Sequence, residues 1–288
     1  MAEAPARAAL AGNPSDGYGG AVLAVTLDAL RATATAGTGL LASTSTESLL
    51  VDATVTRFDR EFGCAPVPVA FATQIPLTVG LGGSSAIVIA VLRELCAVHG
   101  VSLAPDQMAA LALSIEVDDL GIAAGLQDRL VQCHGGLQLM DFSGPEPRTE
   151  ELDRSLLPPL LIAWRDATGE PSGIVHGDLR SRYEAHDPAV VRCLEELGDY
   201  AREARDALRA VKIPTFKQAV DASFDLREQI VDLQPAHTAM IACARDAGAA
   251  ANYTGSGGAI VCVCDDEKHR ARVADGLRAL AGCSTFEL

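Results

Sequence analysis

The sequence predicts a protein of mixed α and β structure, on three observations. Residues 31–53 are rich in Thr, Ser, Val and Leu, which is typical of strands with one solvated face, and with shorter extended runs on either side the first seventy residues are predicted to be mostly sheet. A glycine-rich stretch at 76–86 leads straight into an apolar segment with helical character. Two long helical patterns, at 188–210 and 215–233, dominate the second half.

Turn formers, prolines and glycines mark the ends of the predicted elements. In the first half we expect strands at 4–11, 21–27, 66–73 and 137–142, and helices at 54–62, 87–99, 105–120 and 126–133. In the second half we expect strands at 156–164 and 260–264, a loop at 169–173, further helices at 238–247 and 265–281, and a final strand. The polar stretch Ser143-Gly-Pro-Glu-Pro-Arg148 is the best candidate linker, which predicts domains at 1–143 and 144–288.

Composition excludes several classes of function. The formal net charge of −15 disfavours binding to nucleic acid or to an anionic membrane surface, because both present phosphates. Three lysines occur and none lies in a glycine-rich stretch, so the chain has no P-loop ending of Gly-Lys-Ser or Gly-Lys-Thr. A phosphate site would therefore use backbone N–H groups, Arg and Mg²⁺.

The cysteines and histidines show no metal-binding pattern. The eight cysteines include no CxxC pair, which predicts reduced thiols, and the six histidines form no HExxH or HxxxH pair, which argues against a zinc enzyme. The apolar run at 86–92 is far shorter than the roughly 20 residues that cross a bilayer. We therefore expect a soluble, cytoplasmic protein; the oligomeric state stays open.

The stretch Pro76-Leu-Thr-Val-Gly-Leu-Gly-Gly-Ser-Ser-Ala86 is the strongest candidate binding site. Its glycines and hydroxyls directly before a helix can present several backbone N–H groups to an anion, so we interpret it as a phosphate-binding loop. A glycine-rich turn before a buried helix is one alternative. A serine nucleophile is another, since Gly82-Gly-Ser84-Ser-Ala86 is one residue from GxSxG and His176 lies downstream, but residues 76–79 make a poor strand.

Four further clusters are candidates for chemistry. They are Arg7 with the loop Gly12-Asn-Pro-Ser-Asp16-Gly-Tyr-Gly-Gly20, Glu116 in a helix, the segment Gly125-Leu-Gln-Asp128-Arg129, and the loop Gly255-Ser-Gly-Gly258. Each has an ordinary alternative: a surface turn, a solvated helix charge, a charged helix N-terminus and a simple turn, respectively.

In order and rough spacing, these segments together resemble the motifs of the GHMP kinases, a family that includes galactokinase, homoserine kinase, mevalonate kinase and phosphomevalonate kinase. Residues 76–86 resemble the ATP-phosphate motif, 4–7 and 12–20 the N-terminal motif of the sugar kinases, 125–128 the segment with the catalytic Asp, and 255–258 the third glycine motif. The resemblance implies an α+β fold of two domains: an N-terminal domain like ribosomal protein S5, which carries the phosphate loop, and a ferredoxin-like C-terminal domain.

The resemblance also implies transfer of the γ-phosphoryl group of ATP, with Mg²⁺, to a small-molecule hydroxyl. The ATP-phosphate contacts would come from Gly80, Leu81, Gly82, Gly83, Ser84, Ser85 and Ala86. Ser84, Ser85 and Glu116 match positions that contact Mg²⁺ and offer hard oxygen ligands. Asp128 would accept the hydroxyl proton or orient the hydroxyl, and Arg7 would stabilise the charge that develops there.

Within the family, the motif sequences most resemble those of the branch that phosphorylates the anomeric hydroxyl of a uronic acid. That branch converts D-glucuronate to D-glucuronate 1-phosphate. The matching details are Gly12-Asn-Pro-Ser-Asp16, the extra glycine of Gly80-Leu-Gly-Gly-Ser-Ser-Ala-Ile-Val88, the segment 120–129, and Ser172-Gly-Ile-Val-His176 with Arg180 and Arg182 following. The substrate-binding candidates are Asn13, Asp16, Arg129, Arg180, Arg182, Gly255, Ser256 and Gly257. The arginines among them suit a sugar carboxylate, because the planar guanidinium can bind both of its oxygens.

Two alternatives stay open within the resemblance. Heptose-phosphate kinases carry the same extra glycine, so a kinase for a heptose phosphate, a galactose-like sugar or another small molecule fits the motifs as well. A non-catalytic sugar sensor of the same fold is the other alternative, although this sequence keeps both Asp128 and Arg7.

Overall fold

The computed structural model describes residues 1–37, 46–165 and 179–288. These residues form two compact units, each assembled from separate stretches of chain. Unit 1 comprises Met1–Arg7, Thr26–Leu77 and Gly82–Gly135, and unit 2 comprises Ala8–Val25, Thr78–Leu81 and Gly136–Leu288. The glycine-rich stretch is therefore divided between them. Because the units are defined by contacts and not by continuous chain, the domains at 1–143 and 144–288 stay a prediction.

The first sheet has the strand order β1-β2-β4-β5, with β3 also paired to β2. Its strands are β1 (Ala2–Ala11), β2 (Ala21–Ala36), β3 (Val69–Thr73), β4 (Leu137–Asp141) and β5 (Arg148–Leu152). Within unit 1, β3 pairs antiparallel with the second half of β2. Within unit 2, β4 pairs antiparallel with the first half of β2. The stretch predicted as a linker forms the turn between β4 and β5, which pair antiparallel.

The helices of unit 1 confirm most of the predicted pattern. They are α1 (Thr46–Phe62), α2 (Gly83–His99), α3 (Pro105–Ser114) and α4 (Leu126–His134), with a π-helical turn at Ile115–Asp119. The apolar residues 86–92 are all buried in α2, as expected for a helix that is hydrophobic all round. Gly100 ends α2 with a φ of 68°.

The strand character predicted for 46–53 is wrong, because α1 already begins at Thr46. Leu50, Val51, Thr54 and Phe58 are all buried, and an i, i+1, i+4, i+8 spacing places them on one side of a helix, whereas a strand would point the neighbours Leu50 and Val51 to opposite faces. The Thr54 hydroxyl donates to the Leu50 carbonyl at 2.6 Å, which satisfies its polar group inside the helix. Periodicity thus outweighed the β-branched composition.

Unit 2 contains a second antiparallel sheet, ordered β7-β8-β6-β9. Its strands are β6 (Leu160–Arg165), β7 (Ala250–Tyr253), β8 (Ala259–Val263) and β9 (Cys283–Glu287). The accompanying helices are α5 (Pro188–Arg209), α6 (Ile213–Ile230), α7 (Pro235–Asp246) and α8 (Glu267–Arg278). Helices between β6 and β7 and between β8 and β9 give the ferredoxin-like βαββαβ order, which confirms that prediction. Sequence analysis missed β7, which lacks β-branched residues.

The segment around 169–176 and the prediction about membrane spans remain to be compared with the structure. The loop predicted at 169–173 and the segment Ser172–His176 lie outside the described residues, and with them His176 of the serine-nucleophile alternative. Among the residues that the structure does describe, no helix is both long enough and apolar enough to span a membrane.

Candidate active site

Arg7 and Asp128 form a bidentate ion pair in unit 1. Arg7 lies in β1 and Asp128 in the first turn of α4. The Arg7 Nε donates to Asp128 Oδ1 and its Nη2 donates to Oδ2, each at 2.7 Å. The two side chains are only 4% and 18% exposed, so the pair is shielded from most of the solvent. A paired fork of this kind fixes the carboxylate in position as well as in charge.

The surroundings of Asp128 keep it ionised. Burial raises the pKa of its carboxyl, but the charge and hydrogen bonds of Arg7, the charge of Arg129 and a hydrogen bond from Gln127 outweigh this effect and lower the pKa from 3.8 to about 2. The Gln127 bond joins its Nε2 to Asp128 Oδ1 at 3.0 Å. At neutral pH the group is therefore a carboxylate that can accept further hydrogen bonds.

The second half of the phosphate-loop candidate packs against Arg7. Gly82 has a φ of 71° and precedes α2, which has no side-chain cap, so the N–H groups of its first turn have no capping partner on the described side chains. A Cβ on Gly82 would lie 3.1 Å from Arg7 Cγ and 2.9 Å from Gln132 Nε2. Gln132 Nε2 donates to the Gly82 and Pro5 carbonyls at 2.8 and 2.9 Å. These bonds hold the loop beside β1.

The two hydroxyls of the loop differ in exposure. Ser85 is fully buried and donates from Oγ to the Gly82 carbonyl at 3.1 Å, whereas Ser84 is partly exposed. Ala86 N–H also donates to the Gly82 carbonyl, at 3.0 Å, and closes the first turn of α2. Ser85 therefore stabilises the loop, and Ser84 presents the more accessible oxygen.

Glu116 lies fully buried in the π-helical turn and pairs with Arg129. Its Oε2 accepts hydrogen bonds from Arg129 Nε, at 2.9 Å, and from Nη2. Arg129 Nη1 donates to the Gly125 carbonyl at 2.8 Å and lies 3.8 Å from Asp128 Oδ2. Glu116 Oε1 is buried and has no hydrogen-bond partner among the described residues. Arg129, predicted to bind a substrate carboxylate, thus has its donors engaged by Glu116 and Gly125.

In unit 2, the first half of the phosphate-loop candidate packs on the third glycine loop. Gly80 has a φ of 79°, and a Cβ there would lie 2.8 Å from the Gly257 carbonyl oxygen. Thr254 Oγ1 donates to the Gly80 carbonyl at 2.9 Å. Gly258, with a φ of 94°, approaches Val79 so closely that a Cβ would lie 2.9 Å from its Cα. Close backbone packing requires glycine at both positions.

Arg227 connects the third glycine loop to Asn13, and sequence analysis missed it. Arg227 Nη1 donates to Asn13 Oδ1 at 2.9 Å and to the Gly255 carbonyl at 2.7 Å, and Nη2 donates to the Ser256 carbonyl at 3.3 Å. Its side chain is 1% exposed. A signal was present, because Arg227 continues the apolar spacing of α6 and an arginine on such a stripe must be buried with partners.

Asp16 and Arg180 both lie close to Tyr18 in unit 2. Asp16 is in the short 3₁₀ helix Ser15–Tyr18 and is partly exposed. The Arg180 guanidinium carbon lies 5.7 Å from the centre of the Tyr18 ring. Burial raises the pKa of Tyr18, the charge of Arg180 lowers it and that of Asp16 raises it, so both charges act on this ring.

Arg180 and Arg182 have different local partners. Arg180 is 62% exposed and lies 3.9 Å from Glu184 Oε1, a loose surface pair. Arg182 donates from Nε to Asp187 Oδ2 at 3.2 Å and from Nη1 to the Ile230 carbonyl at 2.9 Å. Arg182 thus joins the start of α5 to the end of α6, and Arg180 keeps the more accessible guanidinium.

The fold and these clusters define a class of protein. Residues 49–136 match the family model for the GHMP kinases N terminal domain, and residues 189–282 match that for GHMP kinases C terminal. The matches cover more than half of the chain and agree with the fold, so this chain belongs to the GHMP kinase family. The prediction of family and of an α+β, two-domain GHMP kinase fold is confirmed.

Two individual members of the family are similar to this chain in sequence. Glucuronokinase 1 of Arabidopsis thaliana is 34% identical over 217 residues, which are 72% of this chain and 59% of that protein. A mevalonate kinase of Methanothermobacter thermautotrophicus is 30% identical over 208 residues, 69% of this chain and 65% of that protein. The chain thus matches about three fifths of the length of the first relative.

Solved structures share the fold at low sequence identity. The galactokinase of Lactococcus lactis, in complex with galactose, superposes with a TM-score of 0.80 and 15% identity, over 99% of this chain and 92% of that one. At this identity the likeness shows the fold alone.

Proposed function

We propose that this chain is an ATP-dependent sugar kinase that transfers the γ-phosphoryl group to the anomeric hydroxyl of a uronic acid, with D-glucuronate as the first candidate and D-glucuronate 1-phosphate as the product. The observation that carries the proposal is that Arg7 contacts both Gly82 of the phosphate loop and Asp128. The identity to glucuronokinase 1 supports the choice of sugar. ATP as co-substrate suits the cytoplasm, which is the expected compartment.

Positioning and charge neutralisation dominate phosphoryl transfer, and unit 1 supplies both. The N–H groups at the start of α2 would bind the triphosphate. The Asp128 carboxylate would accept a hydrogen bond from the anomeric hydroxyl and hold that oxygen in line with the γ-phosphorus. Arg7 would stabilise the negative charge that develops on the transferred group.

The residues of unit 1 fit a magnesium ion that arrives with ATP. The Ser84 hydroxyl and the unpartnered Oε1 of Glu116 are hard oxygen donors, with Ser85 as the buried alternative. No group of three or more His, Cys, Asp or Glu suited to a metal occurs in the described part of the chain. Mg²⁺ is commonly held by one or two side chains together with substrate phosphates, so the two oxygen donors named here would suffice. When bound, the ion would neutralise phosphate charge, which an acidic chain without a loop lysine needs.

Unit 2 supplies the proposed sugar contacts. Asp16 and Asn13 would bind sugar hydroxyls, and the loop Gly255-Ser-Gly257 would contribute backbone groups. Arg180 would bind the uronate carboxylate, because its guanidinium is accessible and only loosely paired.

A phosphoryl-transfer screen with Mg-ATP tests the proposal. The acceptors are glucuronate, galacturonate, glucose, galactose, a heptose phosphate and mevalonate, and the phosphorylated position is read by ³¹P NMR. We expect glucuronate 1-phosphate as the main product and no turnover in excess chelator. Equal rates with glucose would refute a carboxylate site, turnover of mevalonate alone would refute a sugar kinase, and no transfer to any acceptor would favour a sugar sensor.

A further inference from the structure

Among the described residues, Arg227 is the largest fully buried side chain that bears a charge, and the partners described below lie in unit 2. It holds the Asn13 side chain and the carbonyls of Gly255 and Ser256, at 2.7 to 3.3 Å. Its guanidinium carbon lies 5.0 Å from the centre of the Tyr253 ring. A buried arginine is stable only where such acceptors surround it, so these loops are tied to one another through Arg227.

The hydrogen bond between Arg227 and Asn13 determines the orientation of the Asn13 side-chain amide. An amide has one oxygen acceptor and one NH₂ donor, and a guanidinium can only donate. Arg227 therefore requires Asn13 to present Oδ1 to it, as observed at 2.9 Å. The Nδ2 group then points its two N–H donors elsewhere. Among the described residues, the Asn13 side chain makes its hydrogen bond through Oδ1, none is donated by Nδ2, and Asn13 keeps 8% of its surface exposed.

We propose that Arg227 is a positioning residue that turns the Asn13 amide so that it offers N–H donors, and no acceptor, to an oxygen of the sugar substrate. The inference rests on the proposed sugar-kinase function. This orientation also makes Asn13 selective for acceptor groups of the substrate, because two N–H donors favour a hydroxyl oxygen lone pair or a carboxylate oxygen as their partner.

Asn13→Asp separates the positioning role from a purely structural one. The aspartate keeps an oxygen for Arg227 and adds an opposite charge, but it has no N–H donor. We expect the KM for the uronate to rise at least tenfold, with a smaller change in kcat, while Tm stays equal to or above that of the wild type. An unchanged KM, or a fall in Tm, would overturn the proposal.

Asn252→Asp is the matched control. The Asn252 Nδ2 donates to the Leu10 carbonyl at 3.1 Å, so the same substitution there removes a needed donor and places a carboxylate against a carbonyl. We expect Tm to fall in this variant. A fall of Tm at Asn252 with none at Asn13 is the expected contrast.

Arg227→Lys and Arg227→Met test the arginine itself. Lysine keeps the charge but lacks the fork that reaches Asn13 and Gly255 together, so we expect it to recover part of the Tm lost in the methionine variant without restoring KM. Guanidine added to the methionine variant should lower KM towards the wild-type value. Recovery of KM by lysine would show that charge alone suffices, and would overturn the positioning role.

A measurement without substrate keeps this inference distinct from the proposed function. In a double-mutant cycle of Asn13→Ala and Arg227→Met, the free energies of unfolding should be non-additive, since the two side chains share one hydrogen bond. Additive effects would overturn the Arg227–Asn13 contact whether or not any sugar is phosphorylated. If the wild type phosphorylates no sugar, the proposed function and the substrate role of Asn13 both fall, and the cycle still decides the contact.

Discussion

Arg7 binds Asp128 through two parallel hydrogen bonds of 2.7 Å, and the same arginine lies against Gly82 of the phosphate loop. With a pKa of about 2, the Asp128 carboxylate is a weak base towards a sugar hydroxyl. Its main contribution would be to orient the hydroxyl, with proton transfer completed only as the bond to phosphorus forms. The arginine that orients Asp128 also lies where phosphate charge would be bound.

Replacement of Asp128 by Asn should abolish most of the activity. The amide is similar in shape but has one donor in place of an acceptor, so the sugar hydroxyl loses its orienting partner and we expect kcat to fall about 10²-fold or more. Single-turnover phosphoryl transfer measures the effect. Asp118→Asn, at an exposed position of the neighbouring π-helical turn, is the control and should retain wild-type kcat. Full activity of Asp128→Asn would show that the carboxylate is dispensable.

The Arg7–Asp128 pair should make stability depend on pH on the acid side. A carboxyl whose pKa falls from 3.8 to about 2 on folding stabilises the folded state above pH 4, and this contribution is lost as pH falls through 2. The full contribution is about 2.5 kcal/mol, of which about 1 kcal/mol is lost by pH 3. Urea unfolding at pH 7, 5, 4 and 3 measures it. The stability gap between wild type and Asp128→Asn should narrow over this range, and parallel profiles would contradict the assignment.

Glu116→Gln should cost stability and weaken the response to Mg²⁺. The substitution leaves the buried Arg129 charge without its hydrogen-bonded carboxylate, which we expect to lower the free energy of unfolding by about 3 kcal/mol. The Mg²⁺ concentration needed for half-maximal activity should rise at the same time. Glu61→Gln, which removes a half-exposed partner of Arg57, is the control and should change stability by less than about 0.5 kcal/mol. An unaltered Mg²⁺ response would remove Glu116 from the metal site.

Gly80→Ala tests the packing of the two glycine loops. Gly100 is the matched control, since its φ of 68° is close to the 79° of Gly80 but a Cβ there meets nothing within 4 Å. We expect Gly100→Ala to cost about 1 kcal/mol from backbone strain alone. Gly80→Ala should cost at least about 2 kcal/mol, because its Cβ also collides with Gly257, and it should raise the KM for ATP. An equal loss of stability in Gly80→Ala and Gly100→Ala would mean that the two glycine loops move apart to accommodate the added methyl group.

Arg180→Gln tests recognition of the sugar carboxylate. We expect the KM for glucuronate to rise about tenfold and the kinetics with neutral sugars to stay unchanged. Arg192→Gln is the control, because Arg192 is 66% exposed and pairs with an i+4 glutamate at 3.6 Å, much as Arg180 does. Equal effects of the two substitutions would argue against a role for Arg180 in specificity.

Much of the architecture was predictable because it depends on local patterns. Apolar spacing located most of the helices, and Gly100 and Pro105 marked the end of α2 and the start of α3 as they do in the structure. The stretch 46–53 has the β-branched and hydroxyl composition of a strand, but its buried neighbours Leu50 and Val51 share one side only in a helix. Strand β7 was missed because four residues without β-branched side chains give too weak a local signal.

The sequence by itself determined the family, the glycine loops and the residue types available for chemistry, since these depend on short stretches and on their order along the chain. Only the tertiary structure decided which charges pair. Arg7 and Asp128 are 121 positions apart and Arg227 and Asn13 are 214 apart, while Arg129, expected at the substrate, is bound to Glu116. A buried guanidinium must find acceptors to offset its desolvation, and the acceptors within reach depend on how distant strands and helices pack.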